Sequence, residues 1–248
     1  MIWGTLRTFG FIIISLFFLS NCKANSADID IVKEPTDRII KFSGFEWIVR
    51  TNKDVKQGPG PNYFSEAEEN VWLDKQGKLH LKITQQGGIW YCAGLTARQS
   101  LGYGSYTFYI NSDLTNLDPN VVAGLFTYLT DSEEIDIEFS KWSDPLNFNA
   151  QFAVQPADKS GNKMRFDIPK QSGTTIHAFE WKENYIDFFS GYIKDELIVP
   201  LKTWRYVGQD IPKAKEEKLK INLWLFKGQI PSDLKEQELV IDSVSFKK

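Results

Sequence analysis

The chain has 248 residues, 42% of them hydrophobic and 25% charged, with a formal net charge of −3. These proportions exclude an intrinsically disordered chain and leave room for one large domain or two small ones. The acidic excess, 32 Asp and Glu against 29 Lys and Arg, argues against nucleic-acid binding through a strongly basic face.

Residues 9–19 are almost wholly apolar and follow the single charge of Arg7. This run is too short to span a bilayer, which takes about 20 residues, so residues 1–21 are read as a signal peptide for export. The segment Leu19-Ser20-Asn21-Cys22 that closes it resembles a bacterial lipobox, with Asn21 where a small residue is usual. The resemblance implies lipidation of Cys22 and a membrane anchor at the cell envelope, periplasmic or surface-exposed. A plain signal peptide and secretion is the alternative. If Cys22 carries lipid, Cys92 has no intrachain partner, and stability must come from a core rather than from disulfides. Cys92 itself is expected to be a small buried apolar residue. The polar stretch after Cys22 contains Pro35 and reads as a flexible tether, so residues 22–40 are assigned to the attachment cysteine and tether, and 41–248 to a single domain.

From Phe42 onward the dominant signal is alternation with period two. It is clean in residues 78–83, 105–110, 185–189, 219–226 and 239–246. Turn signals separate the runs at Gly77, Gly87-Gly88, Gly102 with Gly104, Gly161 and Gly173. Residues 214–220 are charged and read as one helical turn or a loop. Short strands with such turns predict an all-β sandwich or barrel.

One strand carries chemistry. Glu134, Asp136 and Glu138 alternate with Ile135, Ile137 and Phe139, which places the acids on one face and the apolar set on the other. Asp and Glu are poor strand residues, and three like charges on one face repel. Crowding of that kind raises at least one carboxyl pKa, so one acid keeps a proton while another ionises. Residues four apart on a flat strand have Cα atoms about 13 Å apart. Two Glu side chains leaning inward on a concave sheet approach the separation of about 5–5.5 Å used in retaining glycoside hydrolysis, whereas an inverting pair sits farther apart. An acidic solvent face of an edge strand, or a cation site, is the competing reading of the same residues.

The stretch 134–139 resembles the signature of glycoside hydrolase family 16, the family of lichenase- and laminarinase-like β-glucanases, in the form without an inserted bulge residue, as in lichenase-type members. Other stretches follow in the family's order: Gly58-Pro59-Gly60-Pro61-Asn62, Asn70-Val71-Trp72, Leu101-Gly102-Tyr103-Gly104, Gly124-Leu125-Phe126-Thr127-Tyr128, His177-Ala178-Phe179-Glu180-Trp181 and Ile221-Asn222-Leu223-Trp224. The resemblance covers about residues 42–248. It implies a jelly-roll β-sandwich of two antiparallel sheets with a concave substrate cleft. It also implies endo-acting, retaining hydrolysis of a β-linked glucan, β-1,3 or mixed β-1,3-1,4. By position, Glu134 would be the nucleophile, Glu138 the general acid/base, and Asp136 the residue that tunes their charge. Asn62, Arg98, Phe126, Tyr128, Gln151, Gln155, Asn222 and Trp224 match cleft-lining positions, and Trp142, close behind the catalytic strand, is expected to form a cleft wall.

The short loop at Thr130-Asp131-Ser132-Glu133 departs from the lichenase-type pattern, as do Ala153 and Gln155 where those members carry Asn and Tyr. No cofactor is implied. Many members hold a structural calcium on the convex side, for which Asp242 on the last strand is a candidate ligand. His80 and His177 lie far apart in sequence and are expected to be structural, with no zinc-ligand spacing. A polysaccharide is the expected partner of a monomeric protein. A glycan-binding lipoprotein without catalysis on the same scaffold, or a transglycosylase, are the alternatives.

Overall fold

The computed structural model describes residues 37–52, 55–171 and 173–248. The signal peptide, Cys22 and most of the tether lie outside the described residues. Among the described residues the chain forms sixteen strands. The first five are β1 (Ile39–Phe42), β2 (Phe45–Val49), β3 (Tyr63–Phe64), β4 (Val71–Leu73) and β5 (Leu79–Gln86). Then come β6 (Ile89–Ala97), β7 (Gly104–Ile110), β8 (Val121–Thr130), β9 (Glu133–Phe139), β10 (Ala150–Val154) and β11 (Lys163–Phe166). The series ends with β12 (Thr175–Trp181), β13 (Ile186–Lys194), β14 (Leu197–Tyr206), β15 (Lys218–Leu225) and β16 (Gln237–Lys247). Strand β1 starts inside the stretch assigned to the tether, and the folded unit begins at Asp37.

The strands build a jelly-roll sandwich. One sheet runs β1-β2-β6-β15-β8-β9-β10-β11 and the other β4-β5-β16-β7-β12-β13-β14. Strand β6 passes from one layer to the other. Its first residues pair with β5 through the Gly87-Gly88 hairpin, where both glycines take positive φ, and its last residues pair with β15 and β2. The pairings are antiparallel except for the short β3–β6 contact, which is parallel. The charged stretch before β15 is a loop and not a helical turn. The Glu217 carboxylate accepts hydrogen bonds from the backbone of Gly102 (2.9 Å) and Lys215 (2.8 Å), which holds that chain in a turn until β15 starts at Lys218.

Alternation decides which face of each strand enters the core. Ile135, Ile137 and Phe139 of β9 are fully buried, as are Leu125 of β8, Ile221 of β15 and Phe152 of β10. Aromatic contacts lock the layers together. Phe152 stacks on Phe188 of β13 with ring centroids 5.0 Å apart, and Phe139 meets the ring of His177 edge-on at 4.5 Å. His177 is fully buried mid-strand in β12, its two ring nitrogens 2.9 Å from the hydroxyls of Ser190 and Thr175. Burial pushes its pKa down to about 3, so it is a neutral core residue. His80 stacks on Trp72 and contacts the carboxylates of Glu238 (2.7 Å) and Asp74 (3.3 Å). Cys92 is fully buried, and that burial raises its thiol to about 12.

Asp242 does not fit a calcium ligand. The ammonium of Lys78 lies 2.7 Å from its Oδ1, and its Oδ2 accepts from Thr174 Oγ1 (2.7 Å) and Asn111 Nδ2 (3.2 Å). Calcium takes six to eight oxygen ligands, whereas here one acid faces a lysine and two donors.

The Phe152–Phe188 contact ties the sheet that holds β9 to its partner, so Phe152→Ala should cost about 3–5 kcal/mol. Urea unfolding measures this, and a loss below about 1 kcal/mol would show that the sandwich closes without that contact.

Candidate active site

The acid face of β9 opens into a cavity of ≈ 390 Å³. Glu134, Asp136 and Glu138 line it together with Arg50, Phe126, Tyr128, Asp131, Lys220, Asn222 and Trp224. Strand register brings these residues together. Across β8, Tyr128 is opposite Glu134, Phe126 opposite Asp136, and Gly124 opposite Glu138. One strand further, Lys220 pairs with Phe126 and Asn222 with Gly124. Side chains on one face of neighbouring strands therefore form rows across the sheet, with the acids in the β9 position of three of them.

The other flank of β9 holds the carboxyls in place. Gln151 of β10 lies opposite Glu138 and donates from Nε2 to its Oε2 at 2.6 Å. The Oε1 of Gln151 accepts from Arg165 Nε at 3.1 Å, and the Arg165 guanidinium lies over the ring of Trp142 at 4.1 Å. Gln155, just past β10, donates from Nε2 to Asp136 Oδ2 at 2.9 Å. Asp136 is also hydrogen-bonded to Glu134. Each acid thus has a distinct set of neighbours.

Surrounding protein sets their protonation. Burial, opposed by the Asp136 hydrogen bond and reinforced by the Glu138 charge, raises Glu134 to about 7. Burial and then the Asp136 charge raise Glu138 to about 8, while the Gln151 hydrogen bond and the Arg165 charge pull the other way. Asp136 is buried and lies well above the ordinary carboxylate range, through burial first and the Glu134 charge second. Close like charges in a partly dry site cannot all ionise, so the three carboxyls retain protons near neutral pH. The arrangement provides a proton donor and a carboxylate that can be freed as a nucleophile, side by side.

Several expected binding residues take other roles. Asn62 is buried and lies outside the cavity. Its Nδ2 donates to the carbonyls of Pro59 and Leu225, both at 2.8 Å, and so fixes the loop whose Gly58 and Pro59 reach the cavity rim. Arg98 also lies outside, in an exposed ion pair with Glu46 at 2.6 Å, because it follows the end of β6 at the sheet surface. Trp142 is not among the residues lining this cavity; it takes a positive φ of 48°, and the Arg165 guanidinium lies over its ring. Gln151 and Gln155 orient the carboxyls and do not line the open space. Phe126, Tyr128, Asn222 and Trp224 do line it.

Arg50, Asp131 and Lys220 line the cavity without having been singled out in the sequence. Lys220 shares parity with Asn222 and Trp224 on β15, a signal present in the alternation. Asp131 accepts the Tyr128 hydroxyl at 2.9 Å from within the short loop before β9. Arg50 follows β2, and only the β2–β6 pairing brings it to this face.

Comparison with known proteins agrees with this geometry. The model of glycosyl hydrolases family 16 matches residues 60–238, well over half of the chain, and the chain belongs to that family. Its fold is similar to that of a Bacillus licheniformis β-glucanase, at TM-score 0.63 and 17% identity over 87% of this chain and 100% of that one. It is also similar to a β-1,3-1,4-glucanase (lichenase) from a mouse hindgut metagenome, at TM-score 0.59 and 23% identity over 81% and 92%. A β-1,3-glucanase from Mycobacterium marinum matches at TM-score 0.59 and 20% identity over 81% and 90%. No curated protein matches the sequence significantly.

The raised carboxyls have a thermodynamic signature. With Glu138 near 8 in the fold and near 4.5 when unfolded, the folded state holds a proton that the unfolded state releases between those values. The native state therefore loses stability as pH rises from about 4.5 to about 8. Glu138→Gln, a neutral isostere, should raise the thermal unfolding midpoint at pH 8 by several degrees and shift it little at pH 4.5; equal midpoints at pH 8 would contradict the burial of this charge. Removing the Arg165 cation should move Glu138 further upward, so carbon-13 NMR titration of Arg165→Gln should place that carboxyl above its wild-type value. An unmoved titration would uncouple Arg165 from the site.

Proposed function

We propose that this family 16 chain is a retaining, endo-acting glycoside hydrolase that cleaves a β-linked glucan, with β-1,3 or mixed β-1,3-1,4 linkages. The observation that carries the reading is the meeting of three acids, each with a different set of partners, on one strand face inside an open cavity. Family membership and the likeness to β-glucanase folds support the substrate class.

Glu138 stands near 8 and carries a proton at neutral pH, and Gln151 fixes one of its oxygens. It protonates the glycosidic oxygen as the bond to the anomeric carbon breaks. Glu134, once ionised, attacks that carbon and forms the glycosyl ester. Asp136 supports the negative charge on Glu134 by hydrogen bonding to it, and the Lys220 cation favours the same ionised form. In the second half, water gives its proton to Glu138 and its oxygen to the anomeric carbon, and Glu134 leaves as the carboxylate. Phe126 and Trp224 offer flat faces for sugar rings, while Asn222, Tyr128 and Asp131 offer polar contacts. Export and a lipid anchor at Cys22 belong to the same proposal, supported by the apolar run and the Cys22 segment, as does a monomeric state.

Glu134→Gln should lower turnover on soluble β-glucans by at least about 10³-fold while leaving polysaccharide binding measurable. Reducing-end release and affinity electrophoresis together check this, and undiminished turnover would remove Glu134 from the mechanism. Proton NMR of the first products should show the β anomer. The wild-type rate should fall on the alkaline side near pH 8 as Glu138 loses its proton. With an aryl glycoside whose leaving group needs no protonation, Glu138→Ala should lose that alkaline dependence; its persistence would assign the proton to another group.

A further inference from the structure

Beside the acid-lined cavity lies a second pocket, a lobe of ≈ 320 Å³. Arg50, Gln57, Lys220 and Asn222 belong to both spaces and form the border between them. The lobe continues past Ile48, Thr51 and Thr96, with one acid, Asp37, at its rim.

The border is rich in unmatched donors. Arg50 is half-buried, donates to the Gly58 carbonyl, and lies over the Phe64 ring at 3.7 Å. Among the described residues it has no carboxylate within ion-pair distance. Cys92 and Tyr128, whose charges would favour its own, are both neutral at pH 7, and the fold raises each of them further. Lys220 lies over the Tyr128 ring at 4.2 Å, likewise without an ion pair among the described residues, and the Glu134 charge that favours its own is only partly present at neutral pH, because burial raises that carboxyl to about 7. By comparison, Arg98, Lys159 and Lys215 each sit 2.6 Å from a carboxylate.

Asn222 adds a third donor. It is 2% exposed, and its Nδ2 has no hydrogen-bond partner. The backbone makes room for this group. A Cβ at Gly94 would lie 2.5 Å from Asn222 Oδ1 and 3.2 Å from Arg50 Cδ. Two adjacent cations drawn partly out of water, beside an unpaired buried amide, are unfavourable in the empty protein. Sugar hydroxyls would satisfy hydrogen bonds there but would not neutralise the charges. An oxyanion does both, through the guanidinium fork, the ammonium and the amide.

We propose that this border is a subsite for an anionic substituent of the glycan, a sulfate ester or a uronate carboxylate, held between Arg50, Lys220 and Asn222 beside the scissile bond. The assignment rests on the hydrolase reading and narrows its substrate to an acidic β-linked glycan.

The test gives the full chain three polymers with one β-1,3-glucan backbone: unsubstituted, partially sulfated, and partially oxidised at C6 to the uronate. At least one charged polymer should be cut with kcat/KM about tenfold or more above the neutral parent, and the two charged arms show which oxyanion fits. That preference should shrink to about twofold or less in Arg50→Gln and, independently, in Lys220→Gln, should return in part in Arg50→Lys, and should fade with added salt. If the neutral parent is cut as well as both charged polymers, or the preference survives both substitutions, the subsite is overturned and the hydrolase reading stands. If none is cut, affinity electrophoresis of the same proteins decides. Retardation by a charged polymer alone, lost in Lys220→Gln, keeps the anion subsite while the hydrolase reading falls; equal migration in all three gels overturns the subsite as well.

Discussion

The core face of β9 constrains everything else in the site. Ile135, Ile137 and Phe139 are fully buried against the second sheet, and a strand that pins one face must present the other. A slip of one residue would drive Glu134, Asp136 and Glu138 into the core, where unpaired carboxylates are prohibitively unfavourable. Register is fixed on both sides, by β8 and by β10. The three acids therefore cannot move apart, and their crowding is the stable consequence of good packing beneath them.

Neighbouring strands respond differently to each acid. Glu138 is gripped through Gln151, which is held by Arg165, which rests on Trp142. Asp136 is gripped by Gln155 and shares a hydrogen bond with Glu134. Glu134 has Asp136 beside it and the field of Lys220 before it. A proton donor benefits from a fixed oxygen, because proton transfer depends on alignment. A nucleophile benefits from a charge that can be released when the sugar arrives. The division of partners matches these two needs better than a symmetric acidic patch would.

How much of this was legible depended on the range of the interaction. Period-two alternation is local, so β5, β7, β9, β13, β15 and β16 could be read from sequence, and with them the acid face and the shared parity of Phe126 with Tyr128 and of Asn222 with Trp224. Less legible were the surroundings of polar side chains whose partners come from distant segments. Asn62 has the type of a sugar ligand, but a carbonyl 163 positions away, that of Leu225, takes one of its donors. Arg98 and Arg50 are the same residue type just past the ends of neighbouring strands; only the end of β6 and the β2–β6 pairing decide which reaches the cavity. Asp242 has the residue type of a metal ligand, but Lys78, from a distant segment, faces it at 2.7 Å. Lys220 was legible in principle, since it alternates with Asn222 and Trp224, but a lysine in an acid-centred site is easily read as solvated surface.

The floor opposite Glu138 shows how the fold separates stability from shape. Two glycines flank Asn222 in that row, Gly124 on β8 and Gly94 on β6. A Cβ on Gly94 would collide with the Asn222 amide at 2.5 Å, so this glycine is required for the side chains to coexist. A Cβ on Gly124 would meet Phe126 at 3.6 Å and Trp224 Nε1 at 3.9 Å, which are ordinary contacts. Packing therefore does not demand glycine at 124. What its absent side chain leaves is depth in front of Glu138, between an aromatic on each side. Gly94 thus serves the arrangement of the protein's own donors, and Gly124 leaves open space opposite Glu138. Identical residues in one row thus answer to different constraints.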